Sequence, residues 1–258
     1  MMCKVLARIF KRISIPRLRK GQSFVELALV LPVLLLMLMG LMEVAFFIGK
    51  YLDVLDLTRE AARFASVRDP FNNPLADSNC LTDGFDFYFD VSCVLAPPTC
   101  TCTKTDPWCW CNGLNRYANL NMATDDIVIS IYTISGNTVT DAHPKSPKGV
   151  ALAGGVGYIW AFSDNDNDTS HNSNWQKDCR GNVVRNLPHF TIPVVNSYMQ
   201  QNAQPAKGYV AVELYYCHSQ LLNLPFVSDI IPNPMMTHAY TIMPIPAAMP
   251  SPTPTTSP

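Results

Sequence analysis

Lys20-Gly21-Gln22-Ser23-Phe24-Val25-Glu26 separates two stretches of opposite character, and the organisation of the whole chain rests on it. Residues 1–21 carry seven basic side chains (Lys4, Arg8, Lys11, Arg12, Arg17, Arg19, Lys20) and no acidic one. From Leu27 to Gly49, a run of 23 residues, the only charge is Glu43. As an α-helix that run reaches roughly 35 Å, against a hydrocarbon core of about 30 Å. A cleaved secretory signal has an apolar region of only about 7–15 residues before a small-residue cleavage site. Here the apolar run continues to Gly49 without an Ala-x-Ala end. The expectation is a single-pass membrane protein whose basic end stays cytoplasmic and whose residues 51–258 are extracytoplasmic, either extracellular or periplasmic.

Glu26 needs a reason to be where it is, because a carboxylate drawn to the bilayer centre costs about 2.5–3.5 kcal/mol. A cut after Gly21 would make Gln22 the first residue and Glu26 the fifth. The new α-amine would then be a cation able to pair with Glu26 of a neighbouring subunit. Two charges that are each costly in lipid would neutralise one another, which favours assembly over the free subunit.

A glycine five residues before a glutamate, after a basic leader and before an apolar helix, resembles the type IV prepilin processing site. The longer run Gly21-Gln22-Ser23-Phe24-Val25-Glu26-Leu27-Ala28-Leu29-Val30-Leu31-Pro32, continuing through Gly40-Leu41-Met42-Glu43, resembles TadE-like minor pilins of tight-adherence pilus systems, and so does Thr58-Arg59-Glu60-Ala61-Ala62-Arg63-Phe64-Ala65. The resemblance covers about residues 20–68. It implies a minor pilin or pseudopilin of a Flp-type pilus, with a prepilin peptidase, other pilin subunits, the pilus secretion machinery and the lipid bilayer as partners. One departure bears on processing: such pseudopilins often carry an aromatic residue directly after the glutamate, whereas here it is Leu27. Related TadG-like proteins share the anchor and can stay uncut, so the alternative is an uncleaved, membrane-anchored surface module for adhesion or ligand binding.

The chain divides into a leader (1–21), a transmembrane helix (22–49), an amphipathic extension (50–69), a Cys-rich irregular region (70–126), a β-rich exported domain (127–243) and a disordered Pro/Thr/Ser tail (244–258). Pro32 removes the donor that would bond to the carbonyl of Ala28, which predicts a kink or local loosening there. Glu43 is expected to snorkel to the far membrane interface. In the extension, Leu52, Leu55, Ala62 and Ala65 alternate with charges, and the pairs Asp56 with Arg59 and Glu60 with Arg63 have the spacing of helix neighbours. Asp69-Pro70 is the predicted stop. The runs Asp126 to Ile134, Gly208 to Tyr216 and Thr237 to Met243 have β composition, and their alternation predicts an antiparallel sheet with one covered face, the long helix being the cover. The second run, followed by Leu221 to Pro225, also resembles the distal half of TadE-like chains. The fold class is therefore α+β.

Cys80, Cys93, Cys100, Cys102, Cys109, Cys111, Cys179 and Cys217 all come after the membrane run, an even number on the side where disulfides persist. The single residue inside Cys100-Thr101-Cys102 and Cys109-Trp110-Cys111 is too few for a structural zinc site, so disulfides are expected and no metal. Asp164-Asn165-Asp166-Asn167-Asp168 alternates carboxylates as calcium loops do, but Thr169 stands where Gly is needed and Trp175 where the final Glu belongs, so a solvated acidic loop is expected. Removing the leader's seven basic residues from 19 leaves 12 against 20 acidic ones, a formal charge near −8, which gives no nucleic-acid-binding face. His-Glu-x-x-His, Gly-x-Ser-x-Gly and phosphate-cradling glycine loops do not occur. The five histidines (His143, His171, His189, His218, His238) are scattered, read as surface or capping residues. No enzyme and no cofactor is expected.

Overall fold

The computed structural model describes residues 19–71, 87–95, 120–121, 123–144, 157–165, 172–201, 207–223 and 231–248. Among the described residues the first element is a 48-residue helix, α1 (Arg19–Ser66), continuous through Pro32. A short helix α2 (Phe87–Leu95) precedes strands β1 (Asp126–Ser135), β2 (Thr138–His143) and β3 (Trp160–Ala161). Helix α3 (Ile192–Gln201), β4 (Lys207–His218) and β5 (Met235–Ile245) complete the order. The chain divides into two compact units, residues 1–45 and residues 46–258.

In the second unit every strand pair is antiparallel, in the order β2-β1-β4-β5, with β3 also on β1. Gly136, at φ +63°, takes the left-handed conformation that closes the two-residue β1–β2 hairpin, a turn geometry glycine adopts without cost. Central strand β1 pairs with β4 from Asp126 opposite Tyr215 to Ile134 opposite Lys207. Along the edge, β5 pairs with β4 from Gly208 opposite Ile245 to His218 opposite Met235.

The sheet is buried on both faces, not on one. On one face Ile127, Ile129, Ile131, Val210, Val212 and Leu214 pack with Val54, Leu57, Ala61, Ala62 and Ala65 of α1 and with Phe87, Val91 and Leu95 of α2. On the other, Val128, Tyr132, Ile134, Tyr209, Ala211 and Tyr215 lie under Trp175, Phe190, Ile192, Val195 and Met199. That second cover comes from a segment with few strand or helix signals, so alternation of apolar and polar residues in β4 and β5 suggested an open face. Strand β1 carried the contrary signal: its Ile-Val-Ile-Ser-Ile-Tyr-Thr-Ile run is near-continuously apolar, as a strand covered on both sides should be.

Two further differences concern the helices. The buried stripe of the extension runs through Val54, Leu57, Thr58, Ala61, Ala62 and Ala65, so Ala62 and Ala65 lie in it as expected and Leu55 packs at its edge, while Leu52 is exposed. Spacing of three and four keeps that stripe on one side, and the Thr58 hydroxyl is satisfied by donating to the Leu55 carbonyl at 2.8 Å. Within residues 70–126, expected to be irregular, Phe87–Leu95 is helical because Phe87, Val91 and Leu95 repeat every four residues against the sheet. The salt bridges Arg59–Asp56 (3.2 Å) and Arg63–Glu60 (2.8 Å) lie on the exposed side of α1. The helix ends at Ser66, three residues before Asp69-Pro70.

Candidate functional site

Gly21 and Gln22 lie in the first turn of α1. One turn on, Glu26 is exposed among Phe24, Val25, Leu27 and Leu29, which are exposed as well. The most apolar 18-residue stretch of the helix has no buried residue, and residues 24–66 have the length and composition to cross a membrane. Charge apart, such a surface is stable only in an apolar medium or against other apolar helices. Glu43 differs from its neighbours: it is 7% exposed while Leu41, Met42 and Val44 are exposed.

Among the candidate cysteines, Cys179 and Cys217 form a disulfide across 38 residues, joining a turn to the end of β4. Cys93, on α2, is also disulfide-bonded. Cys80, Cys100, Cys102, Cys109 and Cys111 lie outside the described residues, as do residues 1–18, His171, Asp166 to Asp168 and residues 249–258. Asp164 is turned inward to the chain, where its Oδ1 accepts from the Ser173 N–H (2.7 Å) and hydroxyl (2.9 Å). Trp175, at the position of a calcium loop's final glutamate, is fully buried.

The polar groups of the domain interior form two clusters. In the first, fully buried Asp126 accepts from the Ile127 N–H (2.9 Å), the Ser163 N–H (3.0 Å) and hydroxyl (2.6 Å), and the Trp175 N–H (2.9 Å). It fastens two loop turns to the first residue of β1. Burial pushes its carboxyl up to about 6, against the opposing pull of the Ser163 and Trp175 donors. Neighbouring Asp125, also pushed up to about 6 by burial, accepts from the N–H groups of Asn121 (2.7 Å) and Cys217 (2.9 Å).

The second cluster is centred on Glu213, buried in β4. Its carboxylate accepts from the backbone N–H groups of His189 (3.0 Å) and Phe190 (2.9 Å) and from the Tyr215 hydroxyl (2.7 Å), and lies 3.0 Å from His238 Nε2. Burial alone would raise this carboxyl, but the hydrogen bond and charge of His238 with the Phe190 and Tyr215 donors hold it below the usual range. His238 stacks on Tyr215 at 4.3 Å and His189 on Tyr240 at 3.9 Å between ring centroids. Burial, aided by the charge of His238, lowers His189. Sequence reasoning missed this cluster because its histidines are 49 positions apart and meet only once β5 pairs with β4 and the segment before α3 packs on the sheet. The one signal in sequence was a lone glutamate at an inward position of an apolar strand. Its four partners are all structural donors, and the described residues contain no group of three or more His, Cys, Asp or Glu arranged to hold a metal.

The molecule is thus defined by a long apolar, exposed N-terminal helix whose C-terminal half is built into a disulfide-bonded α+β domain. Its residues 21–63 match the family model described as TadE-like protein, and so carry a TadE-like segment that coincides with α1. Nothing among the curated proteins or the solved structures matches the chain.

Proposed function

We propose that the chain is a minor pilin or pseudopilin of a tight-adherence, type IV-like pilus. It inserts with its basic leader in the cytoplasm, is cut between Gly21 and Gln22 by a prepilin peptidase, and joins or primes a filament through α1. The observation that carries this reading is the coincidence of the TadE-like match, residues 21–63, with a helix that begins beside the Gly-x-x-x-x-Glu sequence and stays exposed and apolar. Glu26, one turn beyond the first turn of α1, is close enough in sequence to a new Gln22 amine to form a charge pair between adjacent subunits. The domain after the helix is extracytoplasmic, where its disulfides persist. The role is structural, not enzymatic.

Leu27 in place of an aromatic residue favours a second reading, in which the leader is kept and the domain is a permanently anchored surface module. The two are separated by N-terminal sequencing and intact mass of the membrane-extracted protein from cells with and without the peptidase. A chain that begins at Gln22 only when the peptidase is present supports the pilin-like reading. A chain that keeps its leader in both supports the anchored module.

A further inference from the structure

The last turns of the apolar run belong to the same compact unit as the sheet, and they fix which end of the domain meets the membrane. Phe47 packs edge-on against His218, the last residue of β4, at 5.3 Å between ring centroids. At the other end, Phe71, just beyond α1, packs on His143 at 4.8 Å. His143 pairs with Ile131, which pairs with Val210 near the start of β4. Strand β4 therefore runs antiparallel to α1, and its C-terminal end lies level with the helix turn where the apolar run finishes at Gly49. Tyr51 stacks on Phe47 at 6.3 Å, an aromatic pair at the height where such rings gather in the bilayer interface.

The described residues that follow β4 at that level include three exposed aliphatic side chains. Leu221 is 64% exposed, Leu222 37% and Ile231 40%. The stretches 218–223 and 231–234 contain no Asp, Glu, Lys or Arg. The Gln220 N–H donates to Asn233 Oδ1 (3.1 Å) and Asn233 Nδ2 to Asn223 Oδ1 (2.8 Å), so both stretches are held to one another. The disulfide at Cys217 fastens the strand end from which they project. In water three large aliphatic side chains here would be an uncompensated cost; beside a membrane helix they have an apolar medium within reach.

We propose that Leu221, Leu222 and Ile231 enter the outer interfacial layer of the bilayer, so that the domain has a second lipid contact beside its helix and is held upright against the membrane. This rests on the membrane-anchor reading of α1 and is independent of whether the leader is cut. The occupant is lipid and not a second subunit because the patch is continuous in height with the end of the apolar helix run.

The test uses the full-length chain in phosphatidylcholine–phosphatidylglycerol vesicles that contain a lipid with a photoactivatable acyl chain, with peptide mapping of the adducts. Adducts are expected on the helix segment 27–49 and on Leu221, Leu222 or Ile231. In the L221D/L222D variant the adducts at Ile231 should fall about fivefold while those on the helix are unchanged. Labelling of the helix with none on the loop overturns the proposal and leaves the anchor reading standing. Labelling of neither overturns both. Cross-links from these loop residues to a second copy, in place of lipid adducts, overturn the proposal in favour of a subunit interface.

Discussion

Glu213 and His238 are diagonal neighbours across the β4–β5 pair, with 3.0 Å between Glu213 Oε2 and His238 Nε2, and this contact ties the edge strand to β4. The same carboxylate holds the N–H groups of His189 and Phe190, so one side chain fastens the lid segment, the edge strand and Tyr215 together. Removing a partner from a buried network of this kind leaves donors unsatisfied.

Glu213→Gln should destabilise the detergent-solubilised chain by about 2–4 kcal/mol, since the amide NH₂ would face groups that are themselves donors. Because the folded carboxyl lies below its ordinary value, its contribution is fully present above the usual glutamate range and is lost as pH falls through the folded value. Denaturation midpoints of wild type and variant should converge under acid. Parallel midpoints down to about pH 3 would show that the carboxylate's charge contributes nothing.

Asp126 has the opposite sign. Its folded carboxyl titrates at about 6 against 3.8 for the ordinary group, so folding takes up a proton between these values. Its contribution is complete below 3.8 and is lost as pH rises through 6. Relative to Asp126→Asn, the wild type should therefore be about 2 kcal/mol more favoured at about pH 4.5 than at about pH 7, read from urea midpoints at both. A gap that widens toward neutral pH would mean that the four donors outweigh burial at this site.

The disulfide between Cys179 and Cys217 closes a separation of 38 residues. Its removal in a C179A/C217A double variant should cost about 2–4 kcal/mol, seen as a lower thermal midpoint for loss of the sheet signal in circular dichroism. An unchanged midpoint would assign the stability of that end of β4 to the Asp125 contact with the Cys217 N–H instead.

Substituting Gly21 by a branched residue such as valine adds bulk at the bond proposed to be cut. Gly21→Val should give a chain that retains its first 21 residues in cells that contain the peptidase, with the helix and membrane extraction unchanged. Glu26→Gln should still be cut but should assemble poorly, because the proposed partner of the new amine is gone. Processing of Gly21→Val at the wild-type level, by intact mass, would remove Gly21 from the site.

Local order along the chain was enough to determine α1, the candidate span within it, the exposed Asp56–Arg59 and Glu60–Arg63 pairs, and the three principal strands, because periodicity, composition and spacing of three or four residues act over neighbours in sequence. The TadE-like segment is likewise a linear pattern, and its residues 21–63 are contiguous. Tertiary structure alone decided what no neighbour encodes. It covered the second face of the sheet with Trp175, Phe190 and α3, added Val54, Leu57 and Ala61 to the buried stripe of α1, and joined Cys179 to Cys217. It also gathered His189, Phe190, Tyr215 and His238 around the Glu213 carboxylate and buried Asp126 under four donors. These depend on which residues meet when strands distant in sequence pair, and a buried carboxylate finds its partners only after that register is set.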